Sequence, residues 1–97
     1  LRTKDAAAEY KLVVFVPEPE IEKVSTAMFD AGAGRIGNYG HCSFRIPGTG
    51  TFLGNDSSNP TVGEKGRLET VSEIRLEVVV PAGKLNAAIA AMRTACR

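Results

Sequence analysis

The glycines between residues 32 and 37 have the spacing of a phosphate-binding turn. The segment GAGRIG reads G-x-G-x-x-G, a spacing that lets a backbone approach a pyrophosphate at the N-terminus of a helix. Here, however, a helical pattern precedes Gly32 and a strand pattern follows Asn38. The C-terminal end of a helix carries a partial negative charge, which repels phosphate. The sequence therefore predicts a helix cap at Gly32 and tight turns at Gly34 and Gly37 instead of a nucleotide site.

His41 and Cys42 are the next side chains that could do chemistry. They could supply two metal ligands or a Cys-His nucleophile. Neighbouring residues of a strand point to opposite faces, however, and a zinc site needs three or four ligands. His41 is also the only histidine of the chain. We therefore expect a surface or structural histidine, a cysteine packed in a strand, and no catalytic, cofactor-binding or metal-binding residue.

Other polar residues could gather around an anion. Scattered surface arginines and ordinary loop residues are nevertheless the more common outcome for such positions. Cys96 lies on the apolar stripe of a predicted helix, and we expect it in the core unless truncation of the chain exposes it. The candidate anion ligands are Arg35, Arg45, Arg67, Arg75, Ser57, Ser58 and Thr61.

Composition excludes several classes of protein. The chain has 97 residues, which is the size of one domain, and a formal net charge of +1. That charge gives no basic footprint for nucleic acid and no membrane-surface patch. No apolar run approaches the roughly 20 residues of a membrane span. The two cysteines lack the spacing of a disulfide framework or metal site, so we expect reduced thiols in the cytoplasm.

Hydrophobic periodicity predicts five elements. Residues 1–9 are polar and alanine-rich and are expected to form a linker or lead-in, which leaves one domain over 10–97. β-Branched and aromatic runs predict strands, and apolar residues three or four apart predict helices. The predicted elements are strands over 10–16, 40–46 and 68–81, a helix that begins in the PEPE segment at 17–20 and ends at Gly32, and a helix over 83–97.

Residues 47–66 are rich in glycine, serine, asparagine, threonine and proline. They predict either a long loop or a long twisted hairpin arm, and long loops in compact domains usually carry function. We expect a possible interaction loop at Gly48, Thr49, Gly50, Thr51 and Phe52. Phe52 would either insert into a partner or fold onto its own sheet.

The predicted order, β-α-β-β-α, is that of an α+β ferredoxin-like fold whose last strand is missing or truncated. Such a fold has an antiparallel sheet with two helices on one face. In it the fourth strand pairs with the first, so the strand over 10–16 would have an open, apolar edge. We expect another chain to cover this edge, or the natural protein to continue past Arg97.

Several segments together resemble the inserted domain of the Nif-three-like proteins, the YqfO type that is often labelled GTP cyclohydrolase type-two homologue. The resemblance extends over about residues 10–97 and includes YKLVVFVPE, PGTGTF, NPTVGEKGRLE and EIRLEVVVP. Its most specific part is the pattern G-A-G-x-I-G-x-Y-x-x-C-S-F. The matching residues are Gly32, Ala33, Gly34, Ile36, Gly37, Tyr39, Cys42, Ser43 and Phe44.

This resemblance implies a fold like that of the CutA and P-II signal proteins, which are ferredoxin-like trimers with a long loop between strands two and three. It also implies a homo-oligomer, with a trimer favoured, and a flanking core domain of the same protein as a further partner. Family members usually continue after the second helix with A-H-P-Y-E-E and a last strand, whereas this chain reads Ala95-Cys96-Arg97. The family's two-metal site lies in the core domain, whose ligands have no counterpart here.

Three functions follow as hypotheses. The first is a non-catalytic regulatory, oligomerisation or interaction domain of a Nif-three-like protein. The second is a small-ligand or metal-ion sensor like CutA or P-II proteins. The third is a fragment of a metal-dependent hydrolase whose active site lies in a core domain that these residues do not include.

Overall fold

The computed structural model describes residues 9–54 and 66–96. Their order is β1 (Glu9–Pro17), α1 (Ile21–Asp30), β2 (Phe44–Leu53), β3 (Leu68–Pro81) and α2 (Leu85–Ala95). The described strands form an antiparallel sheet in the order β1-β3-β2. This arrangement confirms the predicted α+β class and the ferredoxin-like β-α-β-β-α order. The expected lead-in lies outside the described residues except for Glu9, which begins β1.

Alternate residues of the strands point toward the two helices and form the core. The period of two in the strands and of 3.6 in the helices brings their apolar faces together, and this burial drives folding. Pro17 and Pro81 each end a strand and precede a short 3-10 turn that leads into a helix. The buried core consists of Val16, Val24, Met28, Ala33, Leu76, Val78, Val80 and Ala88.

α1 ends in a glycine cap, as its sequence predicts. Gly32 has a φ of 107°, and its N–H donates to the Phe29 carbonyl at 3.0 Å. The N–H of Ala33 donates to the Met28 carbonyl, also at 3.0 Å. These two bonds form a Schellman motif, and the buried pair Ala33 and Met28 supplies its usual apolar contact.

The second strand differs from its prediction. The strand expected over 40–46 begins only at Phe44 and continues through Pro47 to Leu53. It cannot begin at residue 40 because His41 has a φ of 55°, which turns the backbone out of an extended conformation. Pro47 does not end it because β2 is an edge strand of the described sheet, where a missing backbone donor is tolerated.

The segment 48–52, expected as a possible interaction loop, is therefore part of a strand. β1 pairs with residues 73–81 of β3, whereas β2 pairs with residues 68–77. Residues 49–53 and 68–72 thus form a two-stranded ribbon beyond the end of β1, which matches the hairpin-arm alternative. Ser57, Ser58 and Thr61, expected as possible anion ligands, lie outside the described residues.

Cys96 was expected in the core, and this prediction is wrong. The cysteine is exposed because it follows the last residue of α2, beyond the turns that pack on the sheet. Its backbone N–H still donates to the Met92 carbonyl at 3.0 Å. The apolar stripe of the helix therefore ends at Ala95, which packs against the core.

Candidate functional site

The glycine segment at 32–42 forms the joint between α1 and the sheet. The N–H of Gly34 donates to the Val79 carbonyl at 2.8 Å, and the N–H of Cys42 donates to the Gly34 carbonyl at 2.7 Å. Gly34 has a φ of 81°, and a Cβ there would lie 2.8 Å from the Phe29 ring and 2.9 Å from the Cys42 carbonyl oxygen. Only glycine fits at this position, because residues with a side chain rarely adopt this φ and a Cβ would collide with both neighbours.

A tight hairpin projects from this joint. Ile36 and Tyr39 exchange two backbone hydrogen bonds of 2.9 Å around Gly37, whose φ is 58°. Both flanking side chains are exposed, Ile36 by 51% and Tyr39 by 75%. The turn therefore holds two large apolar side chains in solvent, joined by the hydrogen bonds between their backbones.

His41 and Cys42 lie before β2 and not within it. The His41 ring stacks on Phe29 with centroids 4.8 Å apart and an interplanar angle of 13°. The Cys42 thiol donates to the Gly40 carbonyl at 3.7 Å. His41 is thus a surface histidine held by an aromatic contact, whereas the expectation of a strand position for Cys42 is wrong because the left-handed backbone at His41 delays the strand.

The arginines do not gather around a common point. Arg45 donates to Glu22 at 2.9 Å and to the hydroxyl oxygen of buried Ser25 at 3.0 Å. The hydrogen bond and charge of Arg45 hold the pKa of Glu22 below its usual 4.5. Arg67 pairs with Glu69 at 3.0 Å.

The outer face of the sheet, opposite the helices, carries a second charged group. Arg75 donates to Glu77 at 2.8 Å, and Lys11 donates to the same carboxylate at 3.3 Å. The hydrogen bond from Arg75, followed by that from Lys11, holds the pKa of Glu77 below 4.5. The Arg75 guanidinium also lies 5.6 Å from the centre of the Phe15 ring, close enough for a cation–π contact.

Large apolar side chains are exposed on this same outer face. Phe15 is 58% exposed, Phe44 63% and Ile46 41%. The strand register places all three on the face opposite the helices, beside Arg75 and Glu77. Exposed apolar side chains grouped on one surface are typical of a surface that contacts another molecule.

The described residues contain neither a metal-binding group nor a membrane-spanning helix. Within 9–54 and 66–96, no group of three or more His, Cys, Asp or Glu side chains could hold a metal ion. None of the helices in the described part of the chain is both long and apolar enough to cross a membrane.

Comparison with known proteins identifies relatives over most of this domain. The GTP cyclohydrolase 1 type 2 homologue of Halalkalibacterium halodurans is 48% identical over 83 residues, covering 86% of this chain and 22% of that protein. The homologue of Mycobacterium tuberculosis is 48% identical over 85 residues, covering 88% of this chain and 22% of the relative. No family model matches the chain.

A solved structure agrees with these sequences. A Bacillus cereus protein related to NIF3 superposes with a TM-score of 0.74 at 46% identity, covering 92% of this chain and 22% of that one. The chain corresponds to one domain of the NIF3-related proteins. The resemblance drawn from the glycine segment and the strands is thereby confirmed, and the chain spans about 22% of the length of the relatives it matches.

Sequence reasoning missed the outer-face group of Phe15, Arg75 and Glu77. Arg75 and Glu77 lie two residues apart on β3, whereas Phe15 comes from β1 and joins them only through the register of β1 with β3. The alternation of apolar and charged residues in β3 indicated one wet face, which was the available signal. It could not show which residues of another strand would lie opposite.

Proposed function

We propose that this Nif-three-like domain is a non-catalytic regulatory and oligomerisation module that acts in the cytoplasm. Its favoured assembly is a homotrimer, and the flanking core domain of the full-length protein is its second partner. The observation that carries the proposal is the edge of β1. In the described sheet β1 pairs on one side only, with β3.

The two edge strands of the described sheet, β1 and β2, differ in how readily another strand could pair with them. β2 contains Pro47 and the glycines at 48 and 50, which weaken a strand as a template for another chain. β1 contains an unbroken run of apolar residues from Leu12 to Val16. A long apolar edge of this kind favours the addition of a strand, from another copy of the chain or from a fourth strand of the kind that the family resemblance implies. For the 97-residue chain we assign the assembly contact to β1.

Catalysis by these residues alone is not part of the proposal. The relatives are named after GTP cyclohydrolase, but this chain covers 22% of their length. Its one histidine, His41, stacks on Phe29, and the nearby Cys42 thiol donates a hydrogen bond to the Gly40 carbonyl. We expect no turnover of GTP by residues 1–97, and turnover that survives repurification would overturn this part of the proposal.

Light scattering on the 97-residue chain tests the assembly. At tens of micromolar we expect a mass of three chains that falls on dilution, whereas a monomer throughout would contradict the proposal. Val13→Lys places a charge on the outer face of β1, opposite Glu77, and should shift the chain toward monomer. Val71→Lys, on the same face of β3 in the ribbon, is the matched control and should leave the mass unchanged.

A further inference from the structure

The outer face of β2 contains a gap made by two glycines. Cross-strand register places Phe44, Ile46, Gly48, Gly50 and Phe52 along this face. Gly48 and Gly50 are successive positions on this face and have no side chains, so a ligand or another chain can approach the backbone closely. The gap therefore lies between Ile46 and Phe52 on an edge strand of the described sheet, where the two-stranded ribbon begins.

A half-open cavity of about 380 Å³ occupies this gap. Phe15 and Ile46 form apolar walls, Gly48 and Gly50 contribute backbone, and Glu73 contributes a carboxylate. The volume lies within the range of small-molecule sites, which are mostly apolar with few polar groups. The cavity is separate from the open edge of β1, since it lies on the face of the sheet.

Glu73 brings a negative charge to this cavity. Its carboxylate leans from β3 across β2, so that a Cβ on Gly50 would collide with Glu73 Oε1. The side chain is half-buried, and no ion pair or hydrogen bond joins its carboxylate to any residue of the described ranges. A partly desolvated charge without a partner is unfavourable, and a ligand that donates to it removes that cost.

Arg75, which also lines the cavity, is the cation expected to neutralise Glu73, but it is engaged elsewhere. It lies two residues further along the same face of β3, and its Nε donates to Glu77 at 2.8 Å. Its guanidinium also lies over Phe15. Lys11 also donates to Glu77, so within the described residues both cations of the outer face are bonded to Glu77 and neither donates to Glu73.

We propose that this cavity binds a small organic cation, in which a primary ammonium group is attached to an apolar or aromatic body. The ammonium donates to the Glu73 carboxylate, and the body contacts Phe15 and Ile46. Glycine at position 50 is required because the carboxylate occupies the space that a larger side chain would fill. The site goes beyond the proposed assembly function and does not depend on it.

Three probes of similar size and different charge test this site. The probes are phenethylamine, 2-phenylethanol and 3-phenylpropionate, each titrated into the isotopically labelled 97-residue chain and followed by backbone amide chemical shifts. We expect saturable shifts at Phe15, Gly48, Gly50 and Glu73 with millimolar phenethylamine. The neutral probe should bind at least about tenfold more weakly, as loss of a charge-assisted hydrogen bond predicts, and the anion should not bind.

Glu73→Gln should weaken phenethylamine binding by at least about tenfold while the thermal midpoint changes little. Gly50→Ala, which displaces the carboxylate, should do the same. Asp30→Asn is the control because it removes an exposed carboxylate at the end of α1, on the opposite side of the sheet from the cavity. Equal affinity for charged and neutral probes, or for native chain and Glu73→Gln, would overturn the proposal.

The same experiments test an alternative role for Glu73, in which its carboxylate pairs with a cation of another copy of the chain. If Glu73 receives its cation from another copy of the chain, Glu73→Gln lowers the mass found by light scattering and phenethylamine does not bind. That result would overturn the small-cation site. A monomeric chain that still binds phenethylamine through Glu73 would support the site while contradicting the proposed assembly.

Discussion

At the scale of single residues, Gly34 is limited by both conformation and space. Its φ of 81° lies in the left-handed region, and a Cβ would lie under 3 Å from both the Phe29 ring and the Cys42 carbonyl oxygen. Gly37 has a φ of 58° with nothing near its missing side chain. Substitution of Gly37 therefore measures the free-energy cost of the backbone conformation alone, whereas substitution of Gly34 adds the cost of steric collision.

We expect Gly34→Ala to lower the free energy of unfolding by more than about 2 kcal/mol, because strain and collision add. Gly37→Ala should cost about 1 kcal/mol from conformation alone. Gly40→Ala is the control, since Gly40 is not among the glycines with a positive φ and a Cβ there would meet no atom within 4 Å. Urea unfolding measures all three, and equal losses at 34 and 37 would show that the joint relaxes around the added methyl group.

The Glu22–Arg45 pair predicts a dependence of stability on pH. Arg45 lowers the pKa of Glu22 in the folded chain below 4.5, so the ionised carboxylate stabilises the fold above pH 4.5. That contribution is lost as pH falls through the lower folded pKa, where the carboxylate takes up a proton. Urea midpoints of native chain and Glu22→Gln should therefore differ slightly at pH 7 and converge in acid.

Glu18→Gln serves as the control for this pH series. Glu18 is exposed, and its carboxylate has no ion pair within the described part of the chain. Its substitution should not change the midpoint at pH 7. A midpoint difference between native chain and Glu22→Gln that persists unchanged into acid would show that the ion pair is not its source.

At the scale of elements, β3 serves two different environments along its length. Leu76 is fully buried beneath the helices, whereas Leu68, eight residues earlier on the same face, is 64% exposed in the ribbon. Among the described residues the ribbon has two strands and no helix above it, and an isolated pair of strands is only marginally stable in water. β3 is thus a core strand at one end and a solvent-exposed arm at the other.

Two leucine substitutions measure this difference. Leu76→Ala should lower the free energy of unfolding by about 2–5 kcal/mol, because it leaves a cavity in the core. Leu68→Ala should change it by less than about 0.5 kcal/mol. The comparison uses urea unfolding of both variants, and a large loss at position 68 would show that the arm packs on the rest of the fold.

The bounds of the strands were predicted from the sequence with unequal accuracy, and β1 and β2 show why. β1 and β3 are dense apolar or alternating runs bounded by proline, so the predicted bounds of 10–16 and 68–81 lie close to Glu9–Pro17 and Leu68–Pro81. β2 has weak local signals, since Pro47 and its glycines are poor strand formers. Its extent is set by pairing with β3, a long-range contact that local pattern does not contain.

At the scale of the whole molecule, the candidate sites follow from register and topology more than from motifs. The glycine motif identified the family and the α1 cap, and it lies after a helix and before a strand, the reverse of the order in a dinucleotide-binding turn. The cavity at Glu73 needs three strands in register to exist. Sequence pattern could place Phe15, Gly50 and Glu73 on strands, but not beside one another.

The proposed assembly also depends on the whole molecule. The described sheet has an apolar edge at β1 and an edge interrupted by proline and glycine at β2. Only the first invites another strand. The central claim is therefore that β1 is paired on both sides when this domain assembles.

Hydrogen exchange of the backbone amides of β1 tests that claim most directly. In an antiparallel edge strand every second amide faces outward, so a monomer protects alternate amides only. We predict that the outward amides of residues 10–16 are protected at tens of micromolar and lose protection on dilution, while outward amides of β2 remain unprotected. Alternate protection of β1 at every concentration would contradict the account.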